Sequence, residues 1–385
     1  MERISEKERT YIKEVLNLQF RASSSGGMTK RLENKFAESF GVKYAISHVN
    51  GTATMHSALL AGGIGPGDEV IVPPLTMAST SFAVLHANAI PVFADIDPHT
   101  FTIDPADVRR KITPHTKAII PVALYGLSPD MDAIMEIAGE YNLTVIEDDA
   151  QCLLGYYKGR IVGSIGHMAS FSFQTSKHMT CGEGGMLITN SDGLADKIRR
   201  FSNLGYAIVS GKPGKGKIAK DAIQDPEYER HICVGWNYRM SDLCAAVALA
   251  QVERLEELVG QRVRVARLYM EAIRGCKWLI PQSVPDGCKH SYWTYALLLQ
   301  NNGEFNWHDF RKKYIEFGGD GVYAAWQLTY LEPAFRLQKG NSRKDLCPIA
   351  ESIQPRLLQF KTNYMEMEIA GQKADALAKT IRYFN

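Results

Sequence analysis

From Met28 to Ile146 the chain alternates between two periodicities. Short, β-branched, apolar runs stand at Tyr44–His48, Glu69–Val72, Ile90–Ala94, Lys117–Val122 and Leu143–Ile146. Between them lie stretches with helical spacing: Met28–Phe40, closed by Gly41, then Thr52–Ala61, Ala78–His86 and Met131–Tyr141. Strands apolar on nearly every residue suit a sheet covered on both faces, and helices between them act as crossovers of a mainly parallel sheet. Such sheets bind ligands at the carboxyl ends of their strands. The loops directly after strands are therefore the places to look for chemistry.

The rest of the chain reads differently. Phe201–Cys233 has little apolar periodicity and is expected to be a long exposed loop, a type that is usually functional or mobile. Ser241–Ile273 is strongly helical and is expected to join two domains. Beyond it a smaller α+β unit contains a strand at Tyr292–Leu299 and a closing helix at Glu368–Arg382. A length of 385 residues accommodates two or three domains. We expect a large domain over 1–258, including an N-terminal helix, and a small one over 259–385.

Composition narrows the function. The formal charge of +2, from 44 basic against 42 acidic residues, offers no broad electrostatic footprint for nucleic acid. The longest apolar stretch, near Ala118–Leu127, contains Pro121 and is too short to span a membrane. The charged N-terminus, MERISEKERTYIKE, lacks an apolar signal core, so a cytoplasmic location is expected. Seven scattered cysteines without a C-x-x-C pair read as free thiols, and the ten histidines show no metal spacing. No metal site is expected. Gly211–Lys217 fits the spacing of a phosphate loop, but Ile218 stands where Ser or Thr would hold magnesium, and the segment reads as a solvated loop. Gly63-Ile-Gly65-Pro-Gly67 follows a helix and precedes a strand, the reverse of a dinucleotide fingerprint, and reads as a turn.

Three segments after strands combine into a site. Asn50-Gly51-Thr52-Ala53 opens a helix whose exposed amides suit a phosphate, with the Thr52 hydroxyl either joining them or simply capping the helix. Glu147-Asp148-Asp149-Ala150-Gln151 ends an apolar strand, where acids must be solvated or paired; Asp148 could face a cationic ring nitrogen. Ser170–Gly185 leads from Phe171–Phe173 into a polar loop with Lys177, then a glycine-rich turn that allows close backbone packing. A lysine in such a crevice can form a Schiff base. A phosphate cradle, a carboxylate and a lysine are the parts that pyridoxal 5'-phosphate requires.

The blocks NGTATMHSALLAGGIGPGDEVIVPPLT, PVFADID, VIEDDAQ, FSFQTSKHMTCGEGGMLITN and GWNYRMSDLCAA, in this order between about Leu32 and Ala250, resemble the DegT/DnrJ/EryC1/StrS family of sugar and aminocyclitol aminotransferases. The resemblance implies an α/β, aspartate-aminotransferase-like fold of type I, with a mainly parallel mixed sheet flanked by helices and a smaller C-terminal α+β domain. It implies that Lys177 is the Schiff-base lysine, that Asp148 faces the pyridine nitrogen and that Gln151 lies near the ring hydroxyl. Thr52, Ala53 and Ser172 match phosphate-binding positions. Asn237 matches an asparagine that reaches the phosphate from a neighbouring subunit, which implies a homodimer with shared sites. Met77 departs from the aromatic ring usual at its position, though a thioether can still pack on the cofactor. A branch of the family acts as a dehydratase with histidine in place of the lysine; here the spacing from Phe-Ser-Phe puts Lys177, not His178, at that position. The implied reaction moves an amino group from L-glutamate or L-glutamine to a keto sugar, nucleotide-linked on family frequency. Gln174 is shared with branches acting on inosose-type cyclitols and aminohydroxybenzoate precursors, so a keto cyclitol or free keto sugar is the alternative acceptor. A non-catalytic regulator is disfavoured by intact Lys177, Asp148 and Gln151.

Overall fold

The computed structural model describes residues 2–22, 26–212, 221, 224–300, 303–336 and 345–385. Most of the Gly211–Lys217 segment lies outside them. Helices α1 (Glu6–Asn17) and α2 (Met28–Phe40) lead into β1 (Tyr44–His48), α3 (Gly51–Ala61), β2 (Glu69–Val72), α4 (Ser79–His86), β3 (Ile90–Phe93), α5 (Pro105–Lys111) and β4 (Thr116–Ile119). There follow α6 (Met131–Tyr141), β5 (Thr144–Asp148), the hairpin β6 (Tyr156–Tyr157) and β7 (Arg160–Ile161), β8 (Met168–Ser172), β9 (Gly185–Thr189) and α7 (Asp192–Ser202). The C-terminal part comprises α8 (Asp242–Val252), α9 (Leu255–Ala272), β10 (Leu279–Pro281), β11 (Thr294–Leu299), α10 (Trp307–Glu316) and β12 (Tyr323–Ala324). It closes with α11 (Pro333–Arg336), α12 (Pro348–Ile353), β13 (Leu357–Lys361) and α13 (Met367–Phe384).

Seven strands form the main sheet in the order β1-β9-β8-β5-β4-β2-β3. From β8 through β3 every pairing is parallel, whereas β9 runs antiparallel to both β1 and β8. Strands β1, β8 and β9 are buried along their whole length, as the unbroken apolar runs require. A separate antiparallel sheet, β10-β11-β13-β12, packs with α9, α10 and α13 around Tyr269, Tyr314, Leu297 and Phe360. This is the type I architecture expected from the sequence.

Departures from the expected elements have local causes. The strand expected over Lys117–Val122 is shorter because Pro121 has no N–H; its carbonyl still accepts from Asp148 N at 2.9 Å, and Ala123 N donates to Asp148 O at 3.0 Å. The helix expected over Ser241–Ile273 is two helices. Arg254 leaves helical dihedrals at φ −116° and ψ 15°, and its guanidinium donates to the Glu2 carbonyl and Glu8. Phe201–Cys233 is not free of contacts, since Tyr206 pairs with His231 and Asn203 with Asn237. Among the described residues, no helix is long and apolar enough to cross a membrane.

One buried ion pair ties the layers together. Arg199 on α7 donates from Nη1 and Nη2 to the two oxygens of Glu33 on α2, at 2.7 and 2.8 Å, and Ser47 on β1 donates to the same carboxylate through its amide and hydroxyl. Glu33 is 1% exposed. Removing one partner strands a buried charge, which costs about 3–5 kcal/mol. Arg199→Met should therefore lower the unfolding free energy by about that amount in urea titration.

Candidate active site

The carboxyl ends of β1, β5 and β8 open at one edge of the sheet, and three loops meet there. On the first, Asn50 caps α3: its Oδ1 accepts from Ala53 N at 2.8 Å. The capping role considered for Thr52 thus belongs to Asn50, because the helix begins one residue earlier than expected. The Ala53 amide is committed to that cap. The amides of Gly51 and Thr52 make no hydrogen bond among the described residues, so they are the donors open to an anion.

Glycine makes this loop possible. A Cβ on Gly51 would lie 3.0 Å from Ser172 Cβ and 3.5 Å from Ser172 Oγ, so the helix start and the Ser172 hydroxyl face each other across the space a side chain would fill. Behind it, a Cβ on Gly185 would lie 2.6 Å from the Asn50 carbonyl and 2.9 Å from Gly51 N. The glycine-rich turn, in which Gly182 has φ +86°, lets β9 run backbone against backbone beneath the cradle.

The second loop holds three consecutive acids with three different fates. Glu147 accepts amides from Gly163, Ile165 and Gly166 at 3.0, 2.9 and 2.6 Å. Asp149 is buried, and its Oδ2 has no partner among the described residues; burial, with the charges of Glu147 and Asp148, holds its pKa well above the ordinary value. Asp148 accepts from Thr80 Oγ1 at 2.7 Å. Burial raises the Asp148 pKa, while the Thr80 hydroxyl, the Ala150 amide and the charge of Lys177 oppose that rise. Gln151 turns its Oε1 to Tyr125 N at 2.8 Å, leaving Nε2 as its donor end. Met77, 50% exposed, lies one turn before Thr80 at the start of α4, and Thr80 N donates to its carbonyl.

Lys177 is on the third loop. Its Nζ lies 4.9 Å from the centroid of the Trp293 ring and has no ion-pair partner among the described residues. Burial lowers its pKa to about 8; Asp148 and Glu183 oppose the shift, and Arg262 adds to it. A fraction of the amine is therefore neutral near pH 7, as a nucleophile requires. His178 turns away from this space: its Nε2 donates to Ser291 O at 2.9 Å, and burial drives its pKa far down. Asn237 is exposed, its Oδ1 accepting from Arg239 Nε at 2.8 Å, and no bond joins it to the residues above. Sequence reasoning missed Thr80, Arg262 and Trp293. Only Trp293 carried a signal, in the aromatic run His-Ser-Tyr-Trp-Thr-Tyr that leads into β11.

Free amides at a helix start, a buried carboxylate and an amine of lowered basicity fit a phosphate-bearing aldehyde with a basic ring nitrogen, so fold and site together define a pyridoxal-phosphate enzyme of type I. The model of the DegT/DnrJ/EryC1/StrS aminotransferase family matches residues 2–375, and the chain belongs to that family. GDP-perosamine synthase of Caulobacter vibrioides is 41% identical over 299 residues, covering 77% of this chain and 76% of that protein. The spore coat polysaccharide biosynthesis protein SpsC of Bacillus subtilis is 40% identical over 274 residues, 71% and 69% of the two chains. The crystal structure of an aminotransferase from Psychrobacter cryohalolentis superposes with a TM-score of 0.86 at 30% identity, covering 98% and 97%. The protein is a pyridoxal-phosphate-dependent aminotransferase.

Gly185→Ala tests the backbone packing under the cradle. The added methyl meets main chain rather than a flexible side chain, so stability should fall by about 1–3 kcal/mol in chemical denaturation. Cofactor affinity should weaken with it, read as the cofactor concentration needed to restore the visible absorption band.

Proposed function

We propose that Lys177 carries the cofactor and that the enzyme transfers an amino group from L-glutamate or L-glutamine to a nucleotide-linked keto sugar. The observation that carries the reading is the pairing of a partly neutral Lys177 with a buried Asp148 at one sheet edge. Bound cofactor would supply an electron sink for the carbanion formed at the donor's Cα. Asp148, held by Thr80, would set its negative charge against the ring nitrogen and so favour a proton there. The Gly51 and Thr52 amides with Ser172 would hold the phosphate, Met77 would pack against the ring, and Gln151, whose Oε1 is taken by Tyr125 N, would offer Nε2 to the ring hydroxyl; Ala53 supports the helix turn through the Asn50 cap. Lys177, once its amine is free, would be the acid–base group that moves the proton at the donor's Cα. The inward-turned His178 supports transamination over the dehydratase reading.

The acceptor rests on the relatives: the perosamine synthases are named for a GDP-linked amino sugar. Among the described residues the Gln174 side chain bonds Thr175 and Ser176 within its own turn, so it gives no support to a cyclitol. We take the chain as a homodimer with Asn237 serving the partner's phosphate site. Exposed Ile232 and Val234, the latter at 80%, support an apolar surface beside Asn237. A division near residue 258 and a cytoplasmic location belong to the same reading; the seven cysteines are free, as a reducing compartment favours.

Three outcomes test it. Wild type should show a visible cofactor band that L-glutamate or L-glutamine bleaches, and Lys177→Ala should abolish transamination; a fully active Lys177→Ala would overturn the assignment. Capture of the cofactor by the apoenzyme should quicken with pH through about 8, because only the deprotonated Lys177 amine attacks the aldehyde. Mixing inactive Lys177→Ala with an inactive Asn237→Ala variant should restore activity in hybrid dimers, whereas no recovery in verified hybrids would sink the shared site.

A further inference from the structure

The polar turn that carries Lys177 has no secondary structure to satisfy its carbonyls, and the way they are satisfied is unusual. Arg262 on α9 is 3% exposed, and among the described residues no carboxylate pairs with it. Its Nη2 donates to Ser176 O at 2.8 Å and to Lys177 O at 2.7 Å. Its Nη1 donates to Trp293 O at 2.7 Å and to Thr362 Oγ1 at 3.4 Å. Trp293 returns to the same turn, its Nε1 donating to Ser176 O at 3.0 Å while its ring lies beside the Lys177 amine. Arg3 closes the far side, donating to Thr175 O and, at 3.1 Å, to Lys177 O.

A buried cation without a counterion is costly. An apolar side chain at 262 would spare that cost, but each of the four acceptors would lose a donor, leaving Ser176 O to Trp293 Nε1, Lys177 O to Arg3 and Trp293 O to Thr362 Oγ1, with nothing that bridges all of them. We propose that Arg262 is the positioning residue of Lys177, fixing its turn to the C-terminal sheet through Trp293 and Thr362 and setting the electrostatics of its amine. The proposal rests on the assignment of Lys177 as the cofactor-bearing lysine. The planar fork is what spans Ser176, Lys177 and Trp293 at once; a lysine ammonium offers a point charge without that fixed geometry. The charge acts separately. The groups acting on the Lys177 amine are Asp148 from β5, Glu183 from the glycine turn and Arg262 from α9, with neutral His178 beside it. Of these, Arg262 is the one whose charge favours the neutral amine. Burial lowers its own pKa to about 9, which leaves it cationic at neutral pH.

The test separates fork from charge. In the apoenzyme, the pH dependence of Lys177 acylation is read by mass spectrometry of its peptide. Arg262→Gln should move the midpoint up by about 0.5–1 pH unit, and Arg262→Lys should leave it near wild type. In the holoenzyme, Arg262→Lys should lower kcat about tenfold or more with the donor KM within about twofold, as for a displaced reacting group. An unmoved midpoint in Arg262→Gln would reduce Arg262 to a structural tie. Should that variant not fold, an Arg262→Lys enzyme with wild-type kcat overturns the proposal on its own. Borohydride reduction of wild-type holoenzyme tells which idea has failed: cofactor trapped on Lys177 keeps the site assignment, and cofactor trapped on another lysine removes both.

Discussion

The carboxylate of Asp148 sits at the end of a strand buried on both faces, and the architecture around it can be read as the means of keeping a charge there. Desolvation of an isolated carboxylate would cost many kcal/mol, so the fold must bring it donors or a cation. The donor comes from α4, through Thr80. The cation is Lys177 on a different loop, near enough to act on Asp148 electrostatically, though no ion-pair contact joins them. A cofactor ring nitrogen that gains positive charge on protonation would complete that balance. The same burial that raises the Asp148 pKa lowers that of Lys177. Desolvation at one sheet edge thus acts on both charges, freeing part of the Lys177 amine from its proton, while at Asp148 the Thr80 hydroxyl, the Ala150 amide and the charge of Lys177 work against it.

The neighbouring acids show that the environment, rather than residue type, decides what a carboxylate does. Glu147, Asp148 and Asp149 are adjacent in sequence. Successive residues of a strand point to opposite faces, so Glu147 reaches the amides of the 163–166 loop while Asp148 faces Thr80. Asp149 has no donor on Oδ2 among the described residues, and burial beside the charges of Glu147 and Asp148 holds its pKa well above the ordinary value.

What could be read from the sequence follows the range of the forces involved. Strand and helix positions came through because burial on both faces imposes composition residue by residue, as in β1. The order of the blocks carried Lys177, Asp148 and Ser172 to one edge, because a parallel sheet places strand ends together. Features set by a few atoms did not come through. The cap passed from Thr52 to Asn50 because one residue of helix start is below the resolution of periodicity. The break at Arg254 answers to Glu8 and to the Glu2 carbonyl, some 250 positions away. Thr80 is one hydroxyl in an ordinary helix, and only the fold reveals which carboxylate it meets.

Arg262 and Trp293 fall in the same class, and they bear on how the two sheets work together. Helix α9 packs in the C-terminal core through Val265, Ala266 and Tyr269, while Leu255, Leu258 and Val259 at its start pack in the cluster that holds Phe171 and Phe173 of the main sheet. A guanidinium between those two sets of contacts touches both bodies at once. Three of its four acceptors are backbone carbonyls, which cannot rotate away as side chains can. Any shift of the C-terminal sheet relative to the main one is therefore passed to the Lys177 turn through short, directional bonds. The position of the amine is in this way a property of both sheets, although every residue of its loop belongs to one.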